Sequence, residues 1–210
     1  MRNYRQYCGL AAGLDVVGER WTLLVVRELL LGPRRYGELL ADLPGMGTNL
    51  LAERLKSLCR MGVITKDDQV YELTERGRGL ADAVHALTRW GLSFLGDPSA
   101  EAVCRPHWGL FGLQAMADGS RVPGLDESYE FRIDDEVFHL RVAGGEARAE
   151  RGPADRPAMV MTTDARTFVR LGSGSLTAAE AAAAGLLSVC GDPKASARCA
   201  KVLGLRREAA

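Results

Sequence analysis

The chain has 210 residues, with 27 basic and 27 acidic side chains and no net charge. That length permits one large domain or two small ones, and any affinity for nucleic acid must rest on a local patch rather than on the whole molecule. Hydrophobic and charged contents of 47% and 26% are ordinary for a soluble globular protein. The scattered Cys8, Cys59, Cys104, Cys190 and Cys199, with no CxxC pair and no clustered histidine, argue against zinc and against a secreted disulfide scaffold. No leader pattern and no membrane-length apolar run are visible, so the expectation is a reduced, cytoplasmic protein without membrane contact.

Residues 1–8 form a terminal arm with Arg2, Arg5, Tyr4 and Tyr7. A first helix is expected over Cys8–Val17, and a second, buried one over Glu19–Leu31, ended by Gly32-Pro33. Arg34-Arg35-Tyr36 opens a third helix, Tyr36 to Leu43; two guanidinium groups beside a helix N-terminus make a phosphate site, or else a solvated loop. After a Pro44–Gly47 turn, GTNLLAERLKSLCRMG places Leu51, Leu55 and Leu58 on one helical face. Thr48 or Asn49 is expected to cap that helix and Gly62 to stop it. The opposite face carries Thr48, Asn49, Ala52, Glu53 and Lys56, with Arg54 at the boundary. Short polar groups and cations there suit a DNA major groove; taken alone, the stretch reads first as an ordinary amphipathic helix with a solvated face. A tight hairpin follows over Val63–Thr74 with Asp67-Asp68 at its tip. One long helix, Thr74 to about Phe94, then carries Leu80, Val84, Leu87, Trp90 and Phe94 on a stripe fit for a dimer partner or its own domain.

The order of helices and hairpin is that of a winged helix-turn-helix, and the residues themselves carry a resemblance. Leu14-Asp15-Val16-Val17-Gly18-x-x-Trp21-Thr22-Leu23-Leu24 and Arg27-Glu28-Leu29-Leu30-Leu31-Gly32-Pro33-Arg34-Arg35-Tyr36-Gly37-Glu38-Leu39 resemble the HxlR-type transcription regulators. Leu43-Pro44-Gly45-Met46, Leu51-x-x-Arg54-Leu55, Gly62-Val63-Ile64 and Tyr71-x-Leu73-Thr74-x-x-Gly77 continue the match over about residues 8–95. The resemblance implies a dimer reading a double-stranded operator, with Thr48, Asn49, Ala52 and Lys56 toward bases or nearby phosphates. It also implies Arg54 as a groove or backbone contact and Arg34, Arg35 and Tyr36 on the flanking strand. The acidic wing tip departs from many relatives, leaving Lys66 as the wing's only cation. Cys8 sits where some relatives place a redox-sensing thiol, and would be equally at home as a small hydrophobe.

Gly96–Ala100 reads as a linker. Beyond it come a helix over Pro106–Ala117 and strands over Tyr129–Ile133, Val137–Val142, Ala147–Arg151 and Ala158–Thr162. A helix capped by Asp164, a second capped by Thr177, a strand over Leu186–Cys190 and a last helix capped by Asp192 complete the order. Alternation in Tyr129, Phe131, Ile133 and in Phe138, Leu140, Val142 makes one sheet face apolar. Val160-x-x-Thr163-Asp164-x-x-Thr167-Phe168, Leu171-Gly172-x-Gly174-Ser175-Leu176 and Ala181-x-x-x-Gly185-Leu186-Leu187-x-Val189-x-Gly191-Asp192-Pro193 resemble the sterol-carrier-protein fold over about residues 105–205. That resemblance implies an apolar tunnel, for which Trp108, Phe111, Met116, Phe131, Phe138, Met159, Met161 and Phe168 are the candidate lining, each otherwise a core residue.

The fold class expected is α+β: a winged helix-turn-helix domain over 1–96, then a sterol-carrier-protein-like α/β domain over 104–205 with an antiparallel-rich sheet covered by helices. No nucleophile elbow or phosphate-binding Gly-Lys motif appears, Asp134-Asp135-Glu136 reads as a solvated turn, and no enzyme activity, metal or cofactor is expected. The reading is a homodimeric DNA-binding regulator, by default a repressor, whose second domain binds a small apolar or aromatic effector. The alternatives are a thiol-based redox regulator acting through Cys8, and a lipid or small-molecule carrier whose first half only dimerises.

Overall fold

The computed structural model describes residues 4–205, so Arg2 of the terminal arm lies outside the described residues. The chain forms two compact units that divide between Val84 and His85, ahead of the Gly96–Ala100 segment.

In the first unit the order is α1 (Gly9–Val17), α2 (Thr22–Leu30), β1 (Arg34–Arg35), α3 (Tyr36–Asp42), α4 (Thr48–Arg60), β2 (Ile64–Asp67), β3 (Val70–Leu73) and α5 (Glu75–Arg78). Its core is mostly apolar, with Val25, Val26, Leu29, Leu39, Leu43, Leu51, Leu55, Leu58, Val63, Ile64 and Leu73 all buried beside Thr22 and a fully buried Glu28 that pairs with Arg27. The stripe of Leu51, Leu55 and Leu58 therefore anchors α4, because residues three and four apart share one helical face. The third helix begins at Tyr36 as expected, with Arg35 at its cap position, and the extended residues before it are Arg34 and Arg35. They form β1, which pairs antiparallel with β3 (Arg34 with Tyr71, Arg35 with Val70) and makes a three-stranded sheet of order β1-β3-β2. The second helix starts at Thr22 rather than Glu19, because Trp21 takes a left-handed φ of 77°, which a right-handed helix cannot include. The single long helix expected after the hairpin is two, α5 and α6 (Ala81–Leu92). The Thr74 hydroxyl oxygen caps α5 by accepting the Gly77 N–H, and Gly79 closes α5 after one turn.

The second unit follows with α7 (Pro106–Met116), a 3-10 turn at Gly119–Arg121, β4 (Glu127–Ile133), β5 (Glu136–Ala143), β6 (Glu146–Arg151) and β7 (Met159–Thr163). It ends with α8 (Ala165–Ser173), α9 (Ala178–Ala183), β8 (Leu187–Gly191) and α10 (Pro193–Val202). The sheet order is β6-β5-β4-β7-β8, antiparallel except for the parallel β4–β7 pair. Tyr129, Phe131, Ile133, Phe138, Leu140 and Val142 are all buried, so the alternation in the sequence marks the core face. Asp164, Thr177 and Asp192 cap α8, α9 and α10 as their positions predict, accepting the N–H groups of Thr167, Glu180 and Lys194. The linker segment is held: Arg166 of α8 donates to the carbonyls of Pro98, Ser99 and Ala102 at 3.1, 2.8 and 2.9 Å, and Arg170 pairs with Asp97 at 2.8 Å. No helix among the described residues is long and apolar enough to cross a membrane.

Candidate nucleic-acid interface

On α4 the apolar stripe turns inward and leaves Thr48, Asn49, Ala52, Glu53 and Lys56 exposed. Neither Thr48 nor Asn49 caps the helix. Gly47 occupies the extended cap position with φ −74° and ψ 152°, so both side chains lie inside the first turn and project from it. The Tyr36 hydroxyl donates to the Thr48 carbonyl at 2.8 Å and fixes the N-terminus of α4 against the start of α3. Tyr36 thus braces the start of α4.

Arg54 is turned back on the platform. Its guanidinium donates to the Arg20 carbonyl at 3.3 Å and to Glu19 at 3.1 Å, and its side chain is only 13% exposed. A guanidinium on these partners holds the α1–α2 connection to α4. Arg35 is exposed and Arg34 half-buried, with the Arg34 Nε buried and lacking a hydrogen-bond partner among the described residues. Two arginines on one short strand at the head of α3 present donors of the planar kind that suits phosphate. In the wing, Asp67 pairs with Val70, and Asp68 takes a left-handed φ of 50° at the tip. Lys66 is exposed, 5.6 Å above the Tyr71 ring, so the wing offers one cation against three carboxylates, Asp67, Asp68 and Glu72.

Cys8 is exposed and stands at the cap position of α1, where the N–H groups of Ala11 and Leu10 hold its thiol below the usual value. Cys199 is the opposite case, buried in the second unit and pushed up to about 12 by desolvation, with Glu127 adding to it. Iodoacetamide at neutral pH should therefore label Cys8 well before Cys199, which should react only on unfolding. Peptide mass spectrometry reads the order, and equal rates would deny both environments.

Of the candidate lining residues in the second unit, Phe111, Phe131, Phe138 and Met159 are buried, while Trp108, Met116, Met161 and Phe168 are half-buried. Phe131 meets Phe168 edge-on with ring centroids 5.9 Å apart, which joins β4 to α8. Asp134-Asp135-Glu136 is the β4–β5 turn: Asp134 accepts the Ala165 N–H at 3.1 Å and Glu136 pairs with Arg151. The two histidines that the sequence left without partners have them: His139 lies 3.1 Å from the Gly152 carbonyl and His107 3.7 Å from Glu136.

A helical platform that presents one short helix by its polar face, next to a three-stranded sheet with a hairpin wing, defines the winged helix-turn-helix class. The chain belongs to the HxlR-like helix-turn-helix family, whose sequence pattern matches residues 16–98, and residues 111–204 match the SCP-2 sterol transfer family. The HTH-type transcriptional regulator YvaP of Bacillus subtilis is 34% identical over 93 residues, covering 41% of this chain and 85% of YvaP. An HTH-type transcriptional regulator of Mycobacterium tuberculosis is 37% identical over 101 residues, 45% of this chain; the chain spans 63% of that relative's length. Among solved structures, the quinone-bound YodB of B. subtilis is 29% identical, covers 39% of this chain and 93% of its own, and superposes with a TM-score of 0.38.

Proposed function

We propose that the chain is a dimeric transcription regulator that reads a near-palindromic DNA operator with α4, and that its second unit binds a small apolar or aromatic effector that modulates this binding. One observation carries the reading. The buried Leu51, Leu55 and Leu58 hold α4 so that Thr48, Asn49, Ala52 and Lys56 stay exposed, on the same unit as Arg34 and Arg35. Two such helices must engage half-sites about 34 Å apart, one helical turn of DNA, so a second copy is required. Exposed Leu10 on α1 and exposed Leu87 and Trp90 on α6, with Phe94 4.6 Å from Trp90, support burial against that copy. The acidic tip gives the wing little part in phosphate binding. An effector acts only by favouring one placement of the two reading helices over another, and repression is the direction taken by default.

The test is a salt titration of DNA binding. R34A/R35A should weaken binding about tenfold or more on every sequence and flatten the log K against log salt slope by about 1.8, since each phosphate contact contributes about 0.9. N49A or K56A should instead relax sequence preference, each at about 1–3 kcal/mol for a good base contact. A chain that ignores duplexes at low salt would sink the reading and leave the carrier alternative. A second reading, oxidation of Cys8 as the signal, is favoured by the amide environment that lowers its thiol pKa. It requires C8S to abolish an oxidant's effect on DNA binding, and an unchanged response ends it.

A further inference from the structure

The sheet of the second unit has two edges that differ in kind. The edge strand β6 has the sequence EARAER, and its Glu146, Arg148, Glu150 and Arg151 are all exposed. A copy laid antiparallel about Arg148 would set arginine against arginine. The other edge strand, β8, reads LSVCG, with neither a charge nor a proline. Charged side chains and proline are what natural sheets use to keep an open edge from pairing, and β8 has none of them.

The ladder fixes which of its backbone groups are open. The Asp192 N–H donates to the Ala158 carbonyl at 2.9 Å, and the register places Cys190 opposite Val160 and Ser188 opposite Thr162. Hydrogen-bonded and non-bonded pairs alternate in an antiparallel ladder, so Ser188 and Cys190 spend their N–H and C=O groups on β7. The groups of Leu187, Val189 and Gly191 therefore turn away from the sheet. They are spaced evenly about Val189, which makes the row self-complementary under a two-fold rotation. Val189 is 42% exposed and the adjoining Leu186 41%, so a strand laid there would also cover apolar surface.

We propose that β8 is a homotypic pairing edge: a second copy of this chain adds its own β8 antiparallel about Val189. Val189 then faces the partner's Val189 and Leu187 faces the partner's Gly191, so about six backbone hydrogen bonds form and one sheet runs through both copies. No like charges meet across the join. Ser188 comes opposite the partner's Cys190 in a non-bonded pair, the closer of the two antiparallel spacings. The pairing does not rest on the DNA reading: a chain that ignores DNA pairs here all the same.

The test is hydrogen exchange on the full chain as a function of its concentration. Between about 1 µM and about 500 µM, the amides of Leu187 and Val189 should slow about tenfold, because they exchange from the unpaired edge when the chain is dilute. V189P removes an N–H that β7 does not use, so it should keep the wild-type melting temperature and abolish the slowing at Leu187. S188P removes a ladder bond and should lower the melting temperature. Should V189P fail to fold, V189K sets like charges face to face and must abolish the slowing in its place. In a C8S background, S188C treated with diamide should give a disulfide peptide joining position 188 to Cys190 of the second copy, lost in S188C/V189K. Exchange at Leu187 and Val189 that does not change with concentration overturns the proposal. So does slowing that appears only when another protein is added, which would make the edge a site for a foreign strand.

Discussion

Gly77→Ala is expected to cost the first unit about 3 kcal/mol, at the upper end of what forcing an extra methyl into a packed site costs. For a unit of this size that lowers the thermal midpoint by more than about 10 °C. A Cβ built on Gly77 would lie 2.1 Å from the Val63 carbonyl oxygen and 2.9 Å from Leu73 Cδ2. The leucine can swing; the carbonyl cannot. The Val63 carbonyl accepts the Thr74 N–H at 3.1 Å, and the Thr74 hydroxyl lies 2.7 Å from the Gly62 carbonyl and takes the Gly77 N–H at 3.2 Å. These bonds fasten the start of α5 to the base of the wing, so room for the methyl has to come from the cap or from the hairpin. Gly79→Ala is the control. Its Cβ would meet nothing closer than the Arg76 carbonyl at 3.3 Å, and a smaller unfolded-state entropy offsets that contact, so its effect should stay within about 1 kcal/mol. Urea unfolding of both variants reads the difference, and a G77A chain as stable as G79A would show that the close approach carries no energy.

Features of the fold that follow from burial were legible in the sequence. Leu51, Leu55 and Leu58 located α4, and the alternations through Phe131 and Phe138 located β4 and β5, because a side chain that must leave water repeats with the period of its backbone. Caps were legible where a short polar residue stood alone before its helix, as Asp164, Thr177 and Asp192 do, and misread at Thr48, where Gly47 took the cap. β1 was hidden because two residues have no period; only the strand brought beside them by the hairpin makes Arg34 and Arg35 extended. The break between α5 and α6 had a local signal in Gly79, which closes α5, while the left-handed turn at Trp21 had none. At the candidate interface, removing the apolar stripe left Thr48, Asn49, Ala52 and Lys56 correctly exposed. Arg54 sits on the flank of the stripe, where a long side chain can turn either way; Glu19 and the Arg20 carbonyl, 35 and 34 residues away in sequence, decide it. Arg166 gave no signal at all, because its partners are main-chain carbonyls, and every sequence has those.

Phe131→Ala is expected to be the most damaging change in the second unit, at about 3–5 kcal/mol. Phe131 is 1% exposed and lies on β4, the middle strand of five, where β5 and β7 hold it on both sides through Phe138 and Met161. Strands fixed by ladders on both sides cannot close over a missing ring, so most of the cavity should persist. Above it, Phe168 is wedged between Phe131 and α7, where a Cβ on Gly109 would already lie 3.1 Å from the Phe168 ring and 3.0 Å from Ile133 Cδ1. Losing Phe131 removes the floor under α8, and α8 is the helix whose Arg166 holds the carbonyls of Pro98, Ser99 and Ala102. F131A should therefore speed amide exchange over residues 98–103 as well as lower stability in urea, whereas R166A should speed that exchange at little cost in stability. F131L, which keeps most of the volume, should lose no more than about 1.5 kcal/mol. An apolar void at the centre of the sheet should also stay dry and accept a small aromatic molecule, so benzene should restore part of the loss in F131A and none in R166A. If F131A instead unfolds with the wild-type midpoint, the sheet is not what holds the second unit together.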